Sequence, residues 1–239
     1  LWLIDISDVI ITNNLIIDNL FNGIECAGYC KGCLISYNVI TRNTGTGIVI
    51  LTAIDSEISE NNITACGGSG ILVWGSGTNS QITNNIVDGV SGLGIQLGSA
   101  SSVKVMHNEL LDTSDWGIYV LKSEDVEIYN NSIINGGDDG IFLVDSDFGL
   151  IHNNSIIGSN GIGISIESGV NSTFKFNHIE DSSEYGLMTG VDAACMEITR
   201  NVFINNGDAS QVCDERGNNT FIYNYYDDWV SPDVNLDQI

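Results

Sequence analysis

The stretch Val126-Glu127-Ile128-Tyr129-Asn130-Asn131-Ser132-Ile133-Ile134-Asn135-Gly136-Gly137-Asp138-Asp139-Gly140-Ile141-Phe142-Leu143-Val144 decides how this chain folds. Val126-Glu127-Ile128-Tyr129 alternates in polarity and runs into Asn131. Ser132-Ile133 follows the Asn. After Gly140 the alternation resumes, with Ile141 and Leu143 pointing one way and Phe142 the other. These are three short extended runs with no room for a helix.

The same frame recurs along the chain. Asn14, Asn38, Asn61, Asn85, Asn108, Asn131, Asn154, Asn177, Asn201 and Asn224 follow one another at 23 or 24 residues. An apolar residue stands three places before each Asn, and Gly stands nine places after each of the first eight, from Gly23 to Gly186. A β-rich repeat of this period is a solenoid. Three strands per repeat make one coil of a single-stranded parallel β-helix, right-handed by the crossover rule. About ten coils of 23–24 residues span residues 1–226, and residues 227–239 form a C-terminal cap or tail. The Asn sits at the bend between the second and third strands. Asn tolerates the left-handed conformation of a sharp bend, and its amide can bond from coil to coil as a ladder.

These Asn-x-Ile and Gly-Ile-x-Ile elements resemble the right-handed parallel β-helix superfamily of pectate lyases, polygalacturonases, tailspikes and NosD-like surface repeat proteins. The resemblance covers residues 9–226. It implies the fold and no particular activity, and it places any active site on the outer face of the strand that begins at the Gly.

The chain carries 31 acidic against 7 basic residues, a formal charge of −24. That excludes nucleic acid as a partner and disfavours anionic membranes and polyanionic sugars, unless calcium bridges the latter. No apolar stretch reaches transmembrane length. The chain begins at Leu1 and is read as a mature or truncated product. Six cysteines fit an oxidising compartment, with Cys195 and Cys213 as the candidate disulfide. Cys26, Cys30, Cys33 and Cys66 are read as disulfides or buried thiols. Asn62, Asn130, Asn153, Asn171 and Asn218 begin Asn-x-Ser/Thr sequons, compatible with a glycoprotein. The expected location is extracellular or at the cell surface.

Resemblance to the polygalacturonases implies an acid site at Asp115, Asp138 and Asp139, because inverting hydrolysis needs two carboxylates flanking the bond. Ile162 stands where that family has its His, so the first expectation is absence of hydrolysis, with these acids forming turns. A polysaccharide hydrolase or lyase is the alternative. The arginines, Arg42, Arg200 and Arg216, lie off the outer face of the first strands, so the base of a pectate lyase is missing. Val49, Leu51, Leu72, Trp74, Tyr119, Leu121, Phe142 and Val144 form an apolar and aromatic outer stripe, with Trp116 and Tyr185 at its edge. So long a stripe reads as a docking face for carbohydrate, for another surface protein, or for copies of this chain in an oligomer or filament. The main expectation is therefore a non-catalytic surface-binding protein without a cofactor. Asp233, Asn235 and Asp237 hold the first ligand positions of a calcium-loop pattern that lacks its Gly and distal acid, so calcium is the metal this tail suggests.

Overall fold

The computed structural model describes residues 1–207 and 210–227. These form a parallel β-helix of three sheets, each of ten parallel strands contributed by successive coils. In the sixth coil the strands are Glu127–Tyr129, Ser132–Ile134 and Ile141–Val144. The register advances by one repeat per coil: Ile128 pairs with Ile151, Ile133 with Ile156, and Ile141 with Ile164. The candidate calcium residues Asp233, Asn235 and Asp237 lie outside the described residues.

The core is a stack of inward side chains in single file. Ile24, Ile48, Ile71, Ile95, Ile118, Ile141 and Ile164 are fully buried in one column. Ile35, Ile58, Ile82, Val105, Ile128 and Ile151 form a second. β-branched residues suit this packing because one χ1 rotamer serves every coil.

The Asn ladder is present and buried. From Asn38 to Asn201 each ladder Asn is at most 2% exposed. Each uses both its backbone N–H and its side-chain N–H to donate to the Oδ1 of the next Asn. For Asn131 these bonds to Asn154 measure 3.1 and 3.0 Å. Its side chain also donates to the Val105 carbonyl at 2.9 Å. The backbone bend itself lies one residue earlier than the sequence suggests. The left-handed residue is the one before the ladder Asn: Tyr37, Glu60, Asn84, His107, Asn130, Asn153, Phe176 and Arg200, each with φ near 55°. The ladder supplies enough hydrogen bonding to hold even Phe and Arg there.

The Gly column has a steric cause. A Cβ on Gly117 would lie 2.6 Å from the Gly140 carbonyl oxygen and 2.6 Å from a methyl of Ile133. The turn into the first strand therefore presses against the next coil's backbone. The candidate Cys195–Cys213 disulfide is not formed, and both residues are free thiols. Cys213 pairs in register with Met188, seven residues back along the coil from Cys195, too far for a disulfide. Cys26, Cys30, Cys33 and Cys66 are free thiols inside the column. Burial pushes the Cys33 thiol up to about 11, so it stays protonated.

Replacing Asn131 by Ala should cost about 1–3 kcal/mol in urea unfolding, because Asn108 and Asn154 each lose a buried partner. Gly117→Ala should destabilise by a similar amount through overpacking. Gly89→Ala should differ, since a Cβ there meets nothing within 4 Å and only its φ of 60° opposes the change. An unfolding midpoint for Gly117→Ala equal to wild type would refute the close-approach argument.

Candidate functional site

The outer face of the first sheet gathers the expected apolar residues. Leu72 pairs with Val49 and with Gln96, Gln96 with Tyr119, and Tyr119 with Phe142. The second row runs Trp74, Gly98, Leu121, Val144 in the same register. Leu51 and Trp74 are 40% and 38% exposed, whereas Val49 is only 6% exposed. Val49 therefore contributes to packing and not to an open surface, a correction to the stripe read from alternation. Leu72, Tyr119, Leu121, Phe142 and Val144 are half-buried. The polar coil between the two apolar patches is bridged by a ring: a Cβ on Gly98 would lie 2.6 and 2.7 Å from carbons of the Trp74 indole. Trp74 thus lies flat across Gly98.

The larger aromatic group sits at coils five and six. Trp116 comes from the turn that precedes the first strand, and its ring stacks on Tyr119 at 5.1 Å with 22° between planes. It meets Phe142 at 5.2 Å, and Tyr119 and Phe142 lie 5.6 Å apart. Three contiguous rings on a rigid sheet form a platform with little rotamer freedom left to lose on binding.

Carboxylates flank this platform on both sides. On one side the position two before the column Gly holds Asp115, Asp138, Gly161 and Glu184 on successive coils. Backbone bonds from Gly161 N to the Asp138 carbonyl at 3.2 Å and from Glu184 N to the Gly161 carbonyl at 3.1 Å keep this column stacked. Asp139 leans in from the neighbouring column. A Cβ on Gly161 would lie 2.5 Å from Asp139 Oδ1 and 2.7 Å from Asp138 Oδ1, so both carboxylates converge over the gap that this Gly leaves. On the other side, Asp145 and Glu167 stand near enough to Tyr119 that, after burial, their charges push its phenol above the ordinary value. Asp145, Glu167 and Glu184 complete the acidic surround. Aligning the repeat by its Gly column would have revealed Glu184, whereas Asp145 lies just past a strand end, where no periodic signal points.

The three acids expected from sequence are brought together but are not equivalent. Asp115 is half-buried, and its Oδ1 accepts the Trp116 N–H at 3.1 Å. Asp138 is exposed, and its pKa is raised by partial burial and then by the charge of Asp115. Asp139 is 8% exposed, and burial pushes its carboxyl up to about 6, with Asp138 and Glu184 adding to the rise. Opposing this, its Oδ1 accepts the Ile162 N–H at 2.7 Å. Asn22 makes the same bond to the Thr46 N–H, at 2.8 Å, so this position also serves as a turn anchor.

The histidines stand elsewhere. Tyr129 and His152 stack at 5.0 Å on the second sheet, and His152 faces Glu127 at 3.2 Å, which also pairs with Lys104. His178 faces Glu180 at 2.9 Å. Among the described residues no three His, Cys, Asp or Glu side chains are grouped to hold a metal.

Because the Asp139 carboxyl is raised, its contribution to stability is present below the ordinary value of 3.8 and is lost as pH climbs through about 6. Asp139→Asn removes that loss. Relative to wild type, the variant should gain on the order of 2–3 kcal/mol between pH 4 and pH 8, read from urea unfolding at the two values. An equal difference at both pH values would show that Asp139 titrates as a normal surface acid.

No curated protein sequence matches the chain. Among solved structures, the A-module of mannuronan C-5 epimerase AlgE6 from Azotobacter vinelandii superposes with a TM-score of 0.67 at 17% identity, covering 84% of this chain and 63% of that one. The catalytic unit of a GH87 α-1,3-glucanase from Streptomyces thermodiastaticus gives 0.65 at 17% identity, over 89% of this chain and 46% of that one. The enzymatically active domain of tailspike protein 2 from bacteriophage CBA120 gives 0.63 at 12% identity, over 84% and 36%. This chain thus spans less than two thirds of each of these three, and the likeness is one of fold. The family model described as the right-handed β-helix region matches residues 1–87, 29–157 and 79–230; with the ladder, the three parallel sheets and the continuous register, the chain belongs to the right-handed β-helix family.

Proposed function

We propose that this chain acts on a polysaccharide, held across the outer face of the first sheet, and that its acids make it a hydrolase of neutral glycans. The observation that carries the reading is the platform of Trp116, Tyr119 and Phe142 between two rows of carboxylates. Flat rings stack on the apolar faces of sugars, and the flanking acids hydrogen-bond hydroxyls. The charge of −24 and the acidic surround oppose uronic-acid polymers. A neutral glycan suits this field. Glycan-directed proteins sharing the fold, the epimerase and the glucanase among them, support a polysaccharide ligand in general, and of these two the glucanase fits a neutral one.

In this reading Asp138 is the working carboxylate. It is exposed, leans over Gly161 beside Asp139, and partial burial and then the charge of Asp115 raise its carboxyl from the ordinary value, the direction a general acid needs. Asp115 raises the Asp138 pKa by its charge. Asp139 supplies a second carboxyl beside it. A second reading, non-catalytic glycan binding, is favoured by one observation: Asp139 Oδ1 is committed to the Ile162 N–H as Asn22 is to Thr46. An extracellular or periplasmic site of action goes with both readings.

Binding and turnover should be measured on soluble α-1,3- and β-1,3-gluco-oligosaccharides, with polygalacturonate as the acidic comparator. The expected result is binding and cleavage of a neutral glycan. Tyr119→Ala and Phe142→Ala should each weaken binding roughly five- to tenfold. Asp138→Asn should abolish turnover while leaving binding within about twofold. Binding without turnover would overturn the hydrolase and leave the binding module. Failure to bind any glycan would overturn both.

A further inference from the structure

Trp74 rests on a glycine. It is the last residue of the strand Ile71–Trp74 and pairs in register with Gly98, the last residue of Ile95–Gly98 on the next coil. A Cβ on Gly98 would fall 2.6 and 2.7 Å from carbons of the indole, so the ring occupies the outward position that this glycine leaves empty. The N–H of Gly75 donates to the Gly98 carbonyl at 2.9 Å and ties the two strand ends together beneath the ring. One face of the indole is therefore covered by backbone, and the 38% exposure of Trp74 belongs to the opposite face and the ring edge. The rings of the platform are placed differently. Trp116, Tyr119 and Phe142 each meet the other two within 5.6 Å, and all three are half-buried.

The indole, the platform and Asp138 fall on one diagonal of the first sheet. Gly98, under the indole, is in the fourth coil. Tyr119 is in the fifth, two residues nearer the start of its strand, since Gln96 pairs with Tyr119 and Gly98 with Leu121. Phe142 follows in the sixth coil, and Asp138 stands in the turn before the strand Ile141–Val144. The step from the indole to Tyr119 is one strand spacing across and two residues along, about 8 Å on the diagonal. Gln96, half-buried, lies beside that step and brings an amide to it that can bond sugar hydroxyls.

We propose that Trp74 is a second sugar-stacking subsite, and that a glycan held on the platform beside Asp138 runs back along this diagonal to lay a more distant sugar on the open face of the indole. The inference rests on the reading of this face as a glycan site and adds to it which way the glycan lies and how long it must be. An indole backed by glycine is a flat apolar seat already in place, so stacking there loses little side-chain entropy. A disaccharide on the platform falls short of it. A longer chain engages both seats at once, and the second engagement is intramolecular, which raises affinity beyond that of either seat alone. Trp74 is then a specificity-determining residue that sets a preference for long chains.

The test is the gain in affinity from short to long glycan, measured by calorimetry with α-1,3- and β-1,3-gluco-oligosaccharides of two and of six residues. The wild-type protein should bind the hexasaccharide of its preferred linkage about five- to tenfold more tightly than the disaccharide. Trp74→Ala should cut that gain to less than about twofold. Gly98→Val keeps the indole but puts a side chain where the ring lies, and should lift the ring and reduce the gain likewise. A change that merely disturbed the sheet would lower both affinities alike and leave the gain intact. Should Gly98→Val fail to fold, Trp74→Ala, at an exposed strand end, still decides. A Trp74→Ala variant that keeps the full gain would overturn the subsite, as would a wild-type protein that binds both lengths equally. In either case glycan binding at the platform would stand. Absence of binding to every oligosaccharide would overturn the subsite together with the reading beneath it.

Discussion

The bidentate bond from one ladder Asn to the next sets everything else in this molecule. Each interior Asn gives both its backbone and its side-chain N–H to a single Oδ1 one coil on, and its own oxygen receives the same pair from the coil before. The chain of amides is unbroken from Asn14 to Asn224. Buried amides left without partners would be costly, so a shift of one residue in any coil would be penalised twice, at its own rung and at the next. The ladder therefore fixes the register, and a fixed register makes every other position of the repeat into a column.

In such a column structure function has to arise where the repeat is broken. The inward columns stay apolar and buried from coil to coil and hold the helix together. The column two places before the Gly changes from Phe21, Gly45, Gly68 and Gly92 to Asp115 and Asp138, then opens at Gly161 and closes at Glu184. From the second coil to the fourth, Gly45, Gly68 and Gly92 leave this column without a side chain. The acids start where the platform starts, because Trp116 follows Asp115 directly. Repeat symmetry hence delivers the acids and the rings to one place without any long insertion.

How much of this is legible in sequence depends on whether a feature recurs. The ladder, the coil length and the inward faces recur ten times and can be read from spacing alone. The left-handed residue before each Asn cannot, because Tyr37, Glu60, His107, Phe176 and Arg200 share no chemistry; tertiary hydrogen bonding overrides local preference there. The burial of Val49 was hidden for a related reason. Alternation says which face a side chain takes, but not that its lateral neighbours Glu25 and Leu72 close over it. Cys195 and Cys213 look adjacent when counted in repeats, yet Cys195 follows the first strand while Cys213 lies within one. The acids Asp115, Asp138 and Asp139 could be located from their place before the Gly, but their inequality could not.

That inequality separates anchoring from chemistry. Asp139 and Asp138 are neighbours in the chain and both lean toward the space over Gly161, yet one is buried and bound to backbone while the other is open to solvent. The bond from Ile162 lowers the cost of ionising Asp139, and burial raises it; burial is the larger effect, because the carboxyl stays above its ordinary range. An Asn would hold the Ile162 N–H as well, as Asn22 holds that of Thr46, and would avoid the buried charge. Anchoring the turn therefore does not account for an acid at 139. What an acid adds over an amide is a proton that can come and go near neutral pH, next to a second, exposed carboxylate over Gly161.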